Sequence, residues 1–155
     1  MHLISPLSPP LTLIGPACLT PERFTRPLMG MRVTCGFPSP AADHMGEELD
    51  LNQRCISNAL ATYFVEADTG ESMVGFGILP GDTLVVDKSL EAKNGDIAIV
   101  LWEGGYMCKK LRIQGQRVTL VSAHPDHPPI LVPPDTDLFV WGVVTWSFHK
   151  HVGRK

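Results

Sequence analysis

Short apolar, β-branched runs closed off by glycine, proline and asparagine recur along the second half of the chain. Ala61–Ala67 (ATYFVEA) is β-branched and aromatic, Thr83–Asp87 (TLVVD) follows the turn Pro80-Gly81-Asp82, and Asp96–Trp102 (DIAIVLW) follows Asn94-Gly95. Tyr106–Ile113 comes directly after Gly104-Gly105 and is expected to form a hairpin with the strand before it. Arg117–Ala123 and Leu138–Trp146 complete the set. One helix is suggested, short and weakly periodic, around Ala42–Ile56. Strands of this length at close spacing predict a mostly-β domain, a rolled sheet or partial barrel.

The first part of the chain carries no such pattern. Eight of the fourteen prolines fall within residues 1–44, where charges are few. Proline removes a backbone donor, so such a segment cannot pair or bury enough of itself to fold alone. Residues 1–40 therefore read as an extended, adaptable arm, 41–150 as the folded domain and 151–155 as a basic tail. For Met31–Thr34 the alternative is a strand laid on the body.

Composition narrows the class. A chain of 155 residues suits one domain with a tail, and 44% hydrophobic against 19% charged residues excludes wholesale disorder. Thirteen Lys+Arg against sixteen Asp+Glu leave a net charge of −3, which argues against a protein that grips phosphates through clustered basic charge. Sequence-specific DNA binding by this chain is not expected. The four cysteines, at 18, 35, 55 and 108, show no CxxC spacing, as expected of a reduced, cytosolic chain. The apolar first twenty residues are broken by Pro6, Pro9, Pro10 and Pro16, and no Lys or Arg precedes them, unlike an export signal. No stretch approaches the length of a membrane span. A soluble, cytoplasmic protein is the expectation.

Candidate chemistry gathers at two places. Glu71-Ser72-Met73 follows a strand and the breaker Thr69-Gly70, so Ser72 is expected at a strand-end turn. Backbone N–H groups at Glu71 and Ser72 could there form an oxyanion hole. A serine in such a turn is more often simply a turn former, and its hydroxyl needs a base before it can act as a nucleophile. Cys108-Lys109-Lys110-Leu111 lies within a strand, where successive side chains point to opposite faces. One of the two lysines is then directed inward, and desolvation favours its neutral amine, the form able to take a proton. The competing account is an edge strand from which both amines snorkel outward. His124 and His127 flank Pro125-Asp126, and His149 and His151 alternate near the C-terminus. Neither pair has a ligand partner at metal spacing, so solvated surface histidines and no metal or cofactor are expected. Gly75-Phe76-Gly77 lacks the glycine and helix of a dinucleotide loop.

Cys35-Gly36-Phe37-Pro38-Ser39-Pro40-Ala41-Ala42-Asp43 resembles the cleavage-site segment of the UmuD-type SOS mutagenesis proteins, self-cleaving relatives of the LexA repressor. The likeness runs colinearly through Leu49–Gln53, Ala61–Val65, Ser72-Met73, Gly81-Asp82, Leu84–Asp87, Gly95–Ile97, Lys109–Leu111 and Trp141–Val144. The resemblance implies a LexA-like peptidase fold and a Ser–Lys dyad, with Ser72 as nucleophile and Lys109 as general base. It further implies a scissile Cys35–Gly36 bond in the same kind of chain. Its implied partners are a second copy in a homodimer, a Y-family (UmuC-like) DNA polymerase and a RecA-type recombinase filament on single-stranded DNA that stimulates cleavage. Thirty-four residues precede Cys35, a longer arm than the family pattern, Glu71 stands where the family often has Asp, and the tail Trp146–Lys155 has no family counterpart. Two other classes share parts of the pattern. A signal-peptidase-like enzyme acting in trans would carry a membrane anchor, and a LexA-like repressor module would follow a helix-turn-helix that a proline-rich arm cannot supply.

Overall fold

A strand that is apolar at every position must be covered on both faces, and Ile97–Trp102 (β6) is such a strand. Ile99 joins one buried cluster with Val65, Met73, Ile78, Leu84 and Val86. Its neighbours Ala98 and Val100 project the other way into a second cluster with Leu111, Leu120 and Val132. The computed structural model describes residues 12–17, 26–29 and 45–153. Around β6 it builds an open eight-stranded antiparallel sheet and a separate two-stranded one.

The chain order is β1 (Thr12–Pro16), β2 (Arg26–Met29), β3 (Met45–Leu49), α1 (Leu51–Cys55), β4 (Thr62–Glu66), β5 (Thr83–Asp87), then β6 and β7 (Gly105–Gln114). β8 (Arg117–Val121), β9 (Ile130–Leu131) and β10 (Phe139–Phe148) follow. In the large sheet the spatial order is β1-β4-β5-β10-β6-β7-β8-β9, and β2 pairs with β3 alone. The mostly-β class and the six strands read from the sequence are present, each within two residues at either end. The β6–β7 turn needs left-handed backbone at both central residues, and Glu103 (φ 48°) and Gly104 (φ 81°) supply it. β10 is long enough to serve two partners, β6 through Phe139–Val143 and β5 through Val143–Phe148. Gly142 permits the crossing, because a Cβ there would lie 2.6 Å from Val86 Cγ1.

Two expectations change. Ala42–Ile56 is not one helix: Met45–Leu49 is strand β3, paired with Arg26–Met29, and only Leu51–Cys55 is helical. Asp50 makes the break, its carboxylate accepting the Asn52 N–H at 2.8 Å as an N-cap. Within the stretch expected as an arm, Thr12–Pro16 is a margin strand of the main sheet and Arg26–Met29 is the partner of β3. A strand at a sheet margin tolerates the proline that an interior strand would not. Met31–Thr34 lies outside the described residues.

Candidate active site

The turn that carries Ser72 is built by its neighbours. After β4 the chain passes Thr69-Gly70, enters a single 3-10 turn at Val74–Phe76, and closes on Gly77 in the left-handed region (φ 81°). Met73 is buried in the core and anchors the turn from below. From the side it is bound to the segment after β8. The Ala123 N–H donates to the Ser72 carbonyl at 2.7 Å, and the Gly75 N–H donates to the Ala123 carbonyl at 3.2 Å. The approach is close enough that a Cβ on Gly75 would meet the Ala123 oxygen at 2.7 Å, so glycine is required there. Among the described residues no backbone carbonyl takes the Ser72 N–H.

β7 supplies the other half. It is an interior strand, between β6 and β8, so the outward-snorkelling alternative for both lysines does not hold. Ala98 is opposite Lys109 and Ile97 opposite Lys110. Pleating sends the two side chains apart: Lys109 is 8% exposed, while Lys110 Nζ reaches 4.8 Å from the Phe76 ring centroid. Lys109 Nζ is hydrogen-bonded to Ser72 Oγ at 2.9 Å, across 37 residues of sequence. Burial pulls the Lys109 amine below its ordinary value, partly offset by the adjacent Cys108. Burial also pushes the Cys108 thiol up to about 12, so it stays protonated and is no rival nucleophile at neutral pH.

Ser72 and Lys109 open into a cleft of about 190 Å³ whose other walls include Ala67, Ile78, Tyr106 and His127. Its lining is mostly apolar, with one acidic residue, Asp68, and one lysine, Lys109, and suits an uncharged side chain beside the reacting carbonyl. Cys35 and Gly36 lie outside the described residues.

His127, His149 and His151 are exposed, as expected, and His124 is half-buried; three of the four also make contacts that local spacing does not show. His127 is part of the cleft wall, and His124 stands over the nucleophile turn with Nε2 3.8 Å from the Glu71 carboxylate. The Asp126 N–H donates to His124 Nδ1 at 3.2 Å, which leaves the neutral ring's proton on Nε2, toward Glu71. His149 pairs through Nδ1 with Asp82, whose carboxylate is 1% exposed and also accepts the Leu79 N–H at 2.8 Å. That pair braces the loop behind Ile78. Sixty-seven residues separate the two partners, so no local spacing could have revealed it.

Comparison with known proteins agrees with the likeness read from the motifs. The Peptidase S24-like family model matches residues 27–145. Protein SamA of Salmonella typhimurium is 42% identical over 140 residues, which cover 90% of this chain and 96% of SamA. Protein ImpA of Shigella flexneri is 37% identical over 129 residues, 83% of this chain and 87% of ImpA. The LexA repressor of Bordetella avium is 37% identical over 137 residues, 88% of this chain but 63% of the repressor. Among the described residues no helix is long and apolar enough to cross a membrane. With most of its length matched by the family model and by these relatives, the chain belongs to the S24-like peptidase family.

Proposed function

We propose that this protein is a serine peptidase that cleaves its own chain between Cys35 and Gly36, using Ser72 as nucleophile and Lys109 as general base. The observation that carries the reading is the 2.9 Å contact between a buried lysine amine and a serine hydroxyl at the floor of a cleft. The neutral Lys109 amine accepts the Ser72 hydroxyl proton as Oγ attacks the Cys35 carbonyl carbon. The negative charge that develops on the carbonyl oxygen is met by backbone N–H groups at Glu71 and Ser72. Collapse breaks the C–N bond, and Lys109 returns the proton to the departing Gly36 amine. Water then attacks the acyl-serine, Lys109 again takes the proton and returns it to Ser72 Oγ as the acyl C–O bond breaks, and the chain ending in Cys35 is released. Gly36 has no side chain to obstruct the nucleophile, and Cys35 is small enough for a narrow cleft.

The processed chain, Gly36–Lys155, acts as a homodimeric accessory subunit of a Y-family, UmuC-like polymerase during error-prone synthesis across damaged DNA. A RecA-type filament on single-stranded DNA stimulates the cut, and the setting is the cytoplasm. Residues 1–40, which include the paired strands β1 and β2, carry the substrate segment, 41–150 form the peptidase domain and 151–155 a basic tail. Support comes from the family membership and from relatives that span nearly their own full length. The test is intact-mass measurement after incubation with an activated recombinase filament, with N-terminal sequencing of the large product. That product should begin Gly-Phe-Pro-Ser. A different terminus, or an uncut chain with and without filament, rejects the proposal.

A further inference from the structure

β1 pairs antiparallel with β4 at one margin of the large sheet, Thr12 opposite Glu66 and Pro16 opposite Tyr63. The Ala17 N–H extends the ladder to the Thr62 carbonyl at 2.8 Å. On its other side β4 is paired with β5, so β1 is the strand that covers its outer edge. Both β1 and β2 precede Cys35 in the chain, whereas β3 and β4 follow it. A cut at Cys35–Gly36 therefore severs the covalent link between β1 and the strand it covers.

Among the described residues two short pairings then hold the released piece, β1 on β4 and β2 on β3, and a register shift interrupts each. Pro16 offers no N–H to the ladder. While the chain is intact the pairing is intramolecular and its effective concentration is high; after the cut it must survive dilution. When β1 leaves, β4 shows a row of unpaired N–H and C=O groups, a template for another strand.

We propose that self-cleavage uncovers the outer edge of β4, Thr62–Glu66, as a strand-addition site that takes an extended, uncharged, apolar segment of a partner protein in the place of β1. The proposal rests on the reading of Cys35–Gly36 as the scissile bond. β1 itself defines the occupant: an antiparallel segment of sequence Thr-Leu-Ile-Gly-Pro, with neither charge nor bulky polar groups. Main-chain bonds supply the affinity in this mode, and flanking side chains such as Tyr63 and Phe64, both half-buried on opposite faces of β4, supply the selectivity. A second copy's β4 fits less well. The seated strand shifts register between Leu13 and Gly15 with Gly15 at φ 143°, a backbone conformation that favours glycine and that Thr-Tyr-Phe-Val-Glu, which has none, does not readily adopt.

The test uses the full chain with Ser72→Ala and a foreign protease's recognition sequence placed across residues 35–36, so that cutting does not depend on self-cleavage. Amide hydrogen exchange is followed at residues 62–66 before the cut, after it, and after addition of a synthetic peptide spanning residues 10–19. The outward amides of β4 should exchange at least about tenfold faster once the released piece is removed by gel filtration. The peptide should restore their protection in the cut protein and do nothing to the uncut one. Protection unchanged by the cut, a peptide that fails to restore it, or self-association of the cut protein through 62–66 overturns the proposal. Self-cleavage of the wild-type chain is measured separately by mass. Its failure removes the peptidase reading, whereas the exchange result judges the β4 edge alone.

Discussion

Lys109 does two opposed things to the molecule. As a base it must be neutral, and its burial favours that form; as a protonated amine it is a charge held away from water at some cost to the fold. In the unfolded chain it titrates near ~10.4, and in the folded one below that value. Between the two values the unfolded state binds more protons, so stability rises with pH across that window, and below the folded value the cost is constant. Spontaneous cleavage is therefore expected to speed up about tenfold per pH unit until the folded value is passed. A rate measured from roughly pH 6 to 11 checks this; a histidine base would level off near ~7 instead. Lys109→Ala should abolish cleavage at every pH, and Lys109→Met should abolish it while melting no lower than the wild type at neutral pH. Ser72→Ala removes one hydroxyl from a turn and should give an inert, fully folded protein. Survival of wild-type cleavage in either the Ser72 or the Lys109 variant would reject the assigned roles.

At the scale of elements, the site depends on segments that contribute no reacting atom. Gly75→Ala should push the nucleophile turn off Ala123, because the clash is with a backbone oxygen that cannot swing aside. A loss of about 1–3 kcal/mol in urea denaturation is expected, together with at least a tenfold slower cut. His149→Ala leaves the buried Asp82 carboxylate without its imidazole hydrogen-bond partner. Leaving a buried carboxylate short of a hydrogen-bond partner costs about 1–3 kcal/mol, and a loss in that range is expected. Asp82→Asn added to His149→Ala should recover most of that loss, since the neutral amide can still accept from Leu79; no recovery would show that the His149–Asp82 contact is not what braces the loop. These two supports mark the boundary of what the sequence made legible. Ser72 at a strand end and one inward lysine could be read from local pattern, because turn residues and the two-residue period of a strand are local physics. The Asp82–His149 pair and the Gly75–Ala123 contact could not, because they arise from the order of strands in the sheet. β1 was hidden for another reason: five residues among prolines carry no period, and only its place at the sheet margin makes it a strand. β3 is a strand where the sequence suggests helix, because its pairing with β2 overrides a weak periodicity.

The whole molecule is asymmetric about the proposed cut. The segment before Cys35 contributes two short strands among the described residues, while the segment after it holds both buried clusters and all of β4–β10. Losing the first segment therefore removes little of the core, and the cut protein should keep a cooperative fold. What changes is the surface, because edges covered in the intact chain become open. A partner that binds only the cut form shifts the system by its differential affinity for the two forms, and one that binds both equally shifts nothing. On the proposed function the polymerase must therefore discriminate. Its affinity for chain cut at 35–36 is expected to exceed that for uncut Ser72→Ala by at least about tenfold, which corresponds to ~1.4 kcal/mol. Titration of both forms against the same purified Y-family polymerase, with the released arm removed, measures the difference. Adding the arm back in excess should weaken binding if the arm and the polymerase compete for the same exposed edges. Equal affinities for the two forms would leave the cut without a role in assembly, and tighter binding by the uncut chain would assign the interface to the arm instead.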